Sequence, residues 1–234
     1  MKKSLSVILA IVAILTMFCA CSKTPEDTET TAPAKNEFTY EDYVYTILTD
    51  GTAKIIKYTG TDDVNVLEIP RGFNGAKVTV IGEGAFKGAQ NIGKVIFPRY
   101  LTKIEAHAFE GSSIKKAMME TSKIAEICEY AFAECPNLVQ VDFSPLAETV
   151  ADKAFYLCSS IKVVTFRSDI VNIDAPQAFD TGSSNIQTIN CVTESEEPFI
   201  CAKSLAVSKG FPVENITLIN PVSSSSETTT EAAA

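Results

Sequence analysis

The chain has 234 residues, is 46% hydrophobic and 21% charged, and carries a formal net charge of −9 with one histidine and no tryptophan. That acidity excludes phosphate-backbone binding by clustered Lys and Arg, so no nucleic-acid partner is expected, and it leaves no polybasic patch for anionic lipid. The length suits one main domain with appendages, and the apolar fraction suits a folded body.

The chain opens MKKSLSVILAIVAILTMFCACSK, two lysines before an uncharged, largely apolar run from Leu5 to Ala20. This is the charged start and apolar core of an export signal. The run is short for a spanning helix, which needs about 20 apolar residues. Phe18-Cys19-Ala20-Cys21, followed by Ser22, resembles a bacterial lipobox, where a small residue precedes the cysteine that becomes the lipidated amino terminus. The resemblance implies that residues 1–20 are a lipoprotein signal peptide and that Cys21 carries acyl chains. Each buried CH₂ contributes about 0.8 kcal/mol, so two or more chains anchor stably. An ordinary signal peptide with Cys21 as a passenger thiol is the alternative. Residues 21–41 are rich in Thr, Pro and acids, lack apolar periodicity, and read as a flexible tether.

The domain is expected over residues 42–220. FTYEDYVYTILTDGTAKIIKYTG alternates on both sides of Asp50-Gly51, a strong hairpin signal, and should cover the first rung of a repeat array. Ala-Phe then occurs at 85–86, 108–109, 131–132, 154–155 and 178–179. Four residues before each Ala stands Ile81, Ile104, Ile127 or Val150, with Ile173 shifted by one in the last unit. Three residues after each Phe stands a small residue, Ala89, Ser112, Cys135, Cys158 or Gly182. Apolar triplets follow at steps of three and two, from Val64, Leu67, Ile69 and Ile92, Val95, Phe97 through Ile186, Ile189, Cys191. The alternation in each triplet marks a short half-buried strand. Units of about 23 residues cannot bury an apolar side alone, but stacked units share one core. The Phe should fill that core once per rung.

These units resemble the BspA-like (Treponema pallidum-type) bacterial leucine-rich repeats. VTVIGEGAFKGAQNIGKVIFP and IAEICEYAFAECPNLVQVDFS follow that pattern, roughly L-x-x-I-x-I-P-x-x-V-x-x-I-G-x-x-A-F-x-x-C, over about residues 64–191. The resemblance implies a mostly β leucine-rich-repeat solenoid, right-handed and curved, with 23-residue repeats. Glu105, Cys128, Ala151 and Asp174 replace the glycine after the Ile or Val, and Ala175-Pro176-Gln177 adds a residue before the last Ala-Phe. Local turns should differ there. At the carboxyl end, Ala202 to Gly210 reads as a short helix stopped by Gly210, followed by a strand around Asn215 to Ile219. The amino-terminal β-hairpin and this helix and strand are the expected caps. Residues 221–234, with SSSSETTTEAAA, read as a disordered low-complexity tail.

Little chemistry is legible. His107 offers the only possible imidazole base, in a variable slot of the turn, and reads as a surface residue. No zinc spacing, phosphate loop or dinucleotide pattern occurs. No catalytic residue, metal or cofactor is therefore expected, and the chain reads as a non-enzyme. Five cysteines lie beyond Cys21: Cys128, Cys135, Cys158, Cys191 and Cys201. Cys135 and Cys158 read as buried small residues. Cys191 and Cys201 flank a cap loop, where a bridge is open to an exported protein.

Function then falls to the strand positions between core residues. These are Val66 and Glu68, Lys94 and Ile96, Lys116 and Met118, Gln140 and Asp142, Val163 and Thr165, Thr188 and Asn190. Stacked, they should form two files across a concave sheet, the extended binding surface of a solenoid. Their mixed polarity suits a protein or glycan partner better than a small-molecule pocket. A merely solvated sheet is the alternative. The family resemblance implies adhesion to host or matrix proteins or to other bacteria, and with the lipobox the chain is expected to be a monomer, lipid-anchored at the bacterial cell envelope and exposed there. An envelope accessory or scaffold module, or less readily a hydrolase, are the other readings.

Overall fold

The computed structural model describes residues 36–170, 172–180 and 186–220. The signal segment, Cys21, the tether up to residue 35, Gly182 and the tail from residue 221 lie outside the described residues. Among the described residues no helix is long and apolar enough to cross a membrane.

The amino-terminal cap is larger than the hairpin the sequence predicts. β1 (Glu37–Tyr40), β2 (Tyr43–Ile47) and β3 (Ala53–Tyr58) form an antiparallel meander. Asp50-Gly51 makes the β2–β3 turn, with Gly51 N–H donating to Leu48 O at 2.9 Å and Asp50 Oδ1 accepting from Thr52 N at 2.9 Å. β1 lies inside the stretch assigned to the tether. It is ordered as a strand because Phe38 stacks on Tyr45 at 5.5 Å and Tyr40 packs on Phe73 at 5.8 Å. Phe73 comes from a second cap element. After β4 (Val64–Glu68), β5 (Gly72–Phe73) and β6 (Ala76–Ile81) form a hairpin through Asn74-Gly75, both at positive φ, 48° and 87°. Two such residues are what a tight primed turn requires. The hairpin seats Phe73 against Tyr45 at 4.2 Å, closing the open end of the core.

The chain then alternates between two sheets. In order come β7 (Ile92–Ile96), β8 (Lys103–Ile104), β9 (Lys116–Met118), β10 (Glu126–Ile127), β11 (Gln140–Asp142), β12 (Thr149–Val150), β13 (Val163–Phe166) and β14 (Asn172–Ile173). The one-turn helix α1 (Ala175–Ala178), β15 (Thr188–Val192), α2 (Ile200–Ser208), a 3-10 turn at Val213–Asn215 and β16 (Thr217–Ile219) complete the order. One parallel sheet runs β4-β7-β9-β11-β13-β15-β16. The other runs β1-β2-β3-β6-β8-β10-β12-β14, parallel from β3 onward. The result is a mostly β solenoid with an extra cap at each end.

The repeated phenylalanines explain the stack. Phe86, Phe109, Phe132, Phe155 and Phe179 form a ladder of near-parallel rings, with successive centroids 4.7, 5.0, 5.2 and 4.7 Å apart. Each ring is essentially inaccessible, and burying a Phe is worth roughly 1.5–3 kcal/mol. Tyr58 continues the ladder into the cap, stacked on Phe86 at 5.0 Å. Its N–H donates to Ala85 O at 2.7 Å, the same bond that Phe86 makes to Ala108 and Phe109 to Ala131. The cap strand thus imitates a rung. At the other end, α1 absorbs the extra residue, since Ala178 N–H donates to Asp174 O at 2.8 Å and Phe179 stays in the ladder.

The first four turns around Ala-Phe are each held by two left-handed residues. Gly84, His107, Tyr130 and Lys153 precede the Ala, and Gly88, Gly111, Glu134 and Leu157 follow the Phe, all with φ between 54° and 68°. The position that the family pattern gives as glycine after the Ile or Val is different. Gly82 has no positive φ, but a Cβ there would lie 2.7 Å from Ile55 O of the cap strand. Later rungs stack on other rungs and accept Glu105, Cys128 and Ala151.

The carboxyl-terminal cap agrees with the sequence reading, with shifted bounds. α2 buries Cys201, Ala202, Leu205 and Ala206. It ends where Gly210, at φ 66°, donates to Val207 O and Phe211 N–H donates to Ala206 O. β16 closes the sheet against β15.

Candidate functional site

Register places the two predicted files as stacked rows. Val66, Lys94, Lys116, Gln140, Val163 and Thr188 are successive Cα partners across six strands. Glu68, Ile96, Met118, Asp142, Thr165 and Asn190 form the second row in the same way.

The rows are not uniformly open. In β4, β7 and β9, Val66, Glu68 and Lys116 are exposed and Lys94, Ile96 and Met118 are half-buried. Among the described residues Glu68, Lys94 and Lys116 form no ion pair. Lys94 and Lys116 are direct partners across adjacent strands, an arrangement of like charges that disfavours the pairing. In β11 and β13, Asp142 and Thr165 are buried at 5% exposure each, which corrects their assignment as open face residues. Arg167, just past β13, reaches back one rung and grips the carboxylate of Asp142 through Nε–Oδ1 at 2.8 Å and Nη2–Oδ2 at 3.0 Å. This fork, with the nearby Glu120, raises the Arg167 guanidinium above its ordinary value. Thr165 Oγ1 accepts from Asn190 Nδ2 at 3.2 Å. Gln140, Val163 and Thr188 stay half-buried. Alternation along a strand marks only which side a residue faces, and the covering arginine lies 25 residues away from Asp142.

The other candidate chemistry is structural. His107 sits in the left-handed slot that Gly84, Tyr130 and Lys153 fill in other rungs. Its ring stacks on Tyr130 at 5.2 Å and 4°, and its Nδ1 lies 2.6 Å from Glu110 Oε2. Burial raises the Glu110 carboxyl, but hydrogen bonds from Lys87 and His107 outweigh it and hold the group below its ordinary value. Among the described residues no cluster of His, Cys, Asp and Glu is placed to hold a metal.

The five cysteines among the described residues are buried free thiols. Cys135 Sγ donates to Phe109 O at 3.1 Å and Cys158 Sγ to Phe132 O at 2.9 Å, each one rung back. The small slot therefore supplies a donor as well as room. Burial pushes the Cys201 thiol up to about 12 and also raises Cys191.

One feature of the face escaped sequence reasoning. A cleft of about 540 Å³ at the carboxyl ends of β4 and β7 is lined by Glu68, Arg71, Ile96, Pro98, Arg99 and Thr121, among others. Its signal was the repeated Pro-Arg after a core residue, Ile69-Pro70-Arg71 and Phe97-Pro98-Arg99.

Residues 59–190 match the family model described as BspA type leucine rich repeat region, in six copies. No curated protein matches the chain. Among solved structures, the chain is similar to a leucine rich repeat protein of T. pallidum, with 19% identity, TM-score 0.39, and coverage of 56% of this chain and 72% of that one. It is similar to a leucine rich cell surface protein of Faecalibacterium prausnitzii, with 21% identity, TM-score 0.45, and coverage of 71% of this chain and 57% of that one. A leucine-rich repeat protein of Bacteroides capillosus gives 24% identity and TM-score 0.45, with coverage of 68% of this chain and all of that one.

Proposed function

The chain belongs to the BspA-type leucine-rich repeat family, and from that premise we propose that it is a non-enzymatic surface protein that holds a protein or glycan partner on its strand sheet. The observation that carries the reading is the open part of that sheet. Lys94 and Lys116 stand opposite one another without a counter-charge, beside exposed Val66 and half-buried Ile96 and Met118. An unneutralised cationic pair among apolar side chains is stabilised by an acidic or polar partner that covers it. The charged and apolar opening segment and Cys21 support export and lipid anchoring at the cell envelope. Anchored there, with the tether as spacer, the sheet serves adhesion to host or bacterial surfaces.

The test displays the full chain on a bacterium and measures adherence to matrix proteins and surface glycans. Cys21→Ser should release the protein from the envelope, and Lys94→Glu with Lys116→Glu should abolish adherence while leaving display intact. Lys123→Glu, an exposed charge outside the two rows, is the control. Adherence that survives the double reversal moves the site off this sheet.

A further inference from the structure

We propose that the cleft at the carboxyl ends of β4 and β7 is a subsite for an acidic sugar residue, a uronate or a sialate, seated on Arg71 and Arg99. The inference deepens the binding reading above and rests on it. Arg71 and Arg99 are two of only three arginines in the chain. They occupy one slot in successive rungs, each two residues beyond the last core residue of its strand, Ile69 or Phe97. Thr121 holds that slot in the next rung. Both lie beyond the ends of their strands and line the same cleft, where like charges repel. Both arginines are exposed, and among the described residues neither forms an ion pair. The third arginine, Arg167, has its carboxylate, Asp142. Two unneutralised guanidinium forks lining one cleft, in a chain of net charge −9, form a receptor for a carboxylate, whose two oxygens match the fork.

Glu68 narrows the ligand. It lines the same cleft without pairing to either arginine. A carboxylate in that place accepts O–H donors and repels a polyanion. A ligand with one carboxylate and neighbouring hydroxyls meets both demands. Its carboxylate lies on the arginines, its hydroxyls donate to Glu68 and bond Thr121, and its apolar ring face rests on half-buried Ile96. A sulfated or phosphorylated chain meets only the first.

The test immobilises the full-length chain and titrates it with sialyllactose, a glucuronate disaccharide, neutral lactose and inorganic phosphate. The acidic sugars should bind, with lactose and phosphate at least tenfold weaker, and the tighter of the two acidic sugars identifies the source. Arg71→Gln with Arg99→Gln should weaken acidic-sugar binding roughly a hundredfold, about tenfold for each guanidinium–carboxylate bond removed. The double Arg→Lys variant keeps the charge but not the fork, and should recover only part of the loss. Glu68→Gln should raise phosphate binding. Both arginines are exposed, so the melting curve should not move. Lactose or phosphate binding as tightly as the acidic sugars, or an unchanged affinity in the double Gln variant, overturns the proposal. If acidic sugars fail to bind while Lys94→Glu with Lys116→Glu still abolishes adherence, the subsite falls and the surface-binding reading stands.

Discussion

In β4, β7 and β9 the charged outward side chains Glu68, Lys94 and Lys116 form no ion pair among the described residues, whereas in β11, β13 and β15 Asp142 bonds Arg167 and Thr165 bonds Asn190 across the rungs. The rungs beneath are the same. Phe86 and Phe109 stack at 4.7 Å at one end of the ladder, and Phe155 and Phe179 at 4.7 Å at the other. The contrast shows that the core motif does not decide what its surface does. A single arginine beyond β13 covers Asp142, one of the nominally variable positions. Without such a cover, Lys94 and Lys116 form no ion pair among the described residues.

The largest effects should be those that do not distinguish the halves. Phe109→Ala and Phe155→Ala each delete a ring from the ladder and should each cost about 3–5 kcal/mol. Urea unfolding of the two variants should give values alike to within about 1 kcal/mol, and a wide difference would mean that the halves do not share one core. Arg167→Ala should come next. It leaves Asp142, at 7% side-chain exposure, without its cation. The cost is about 2 kcal/mol, reduced from a fully buried pair because Arg167 is partly in solvent. Lys94→Ala, made in the open half, should fall within about 0.5 kcal/mol of the parent by the same measurement.

This division shows what was readable in advance. The period of Ala-Phe and the apolar triplets located the ladder and nearly every core residue, because burial repeats at each rung. The caps were partly readable. Asp50-Gly51 was recognised, but Asn74-Gly75 carries the same turn chemistry and β1 sits in a polar stretch, where Phe38 and Tyr40 alternate over only four residues. The state of the face was not readable. The burial of Asp142 depends on Arg167 one rung away, an ion pair between variable positions that no repeat pattern encodes. The roles of Cys135 and Cys158 as donors to a carbonyl of the preceding rung were hidden for the same reason.

A further effect concerns the carboxyl-terminal end, where Cys201 is raised to about 12 and Cys191 is raised by burial. The unfolded thiols ionise near their ordinary value of about 8.5 while the folded ones stay protonated. Their contribution to stability is therefore whole below that value and is lost as pH rises toward 12. Melting temperature should fall over this range, and Cys201→Ala should flatten the fall. Native protein at pH 8 should resist alkylation at both sites and react once unfolded.

The one expected gain lies in the carboxyl half. Leu157 is 44% exposed and holds φ 56° in the slot that Gly88 and Gly111 fill in the amino half. Leu157→Gly should relieve the left-handed strain and stabilise by about 0.5 kcal/mol, the relief being partly offset by the freer unfolded chain. The reverse change, Gly111→Leu, should cost at least as much in thermal unfolding.

The most direct measurement compares the two halves of the sheet on one partner. Binding of the full chain to a ligand it adheres to is titrated for Lys94→Glu with Lys116→Glu, and for Val163→Asp with Thr188→Asp, two half-buried positions in the same row of the other half. The account predicts that the first variant loses binding at least tenfold and the second keeps it within about twofold, with both folded. Loss of binding in the second variant alone would place the partner on the bonded half and contradict the account.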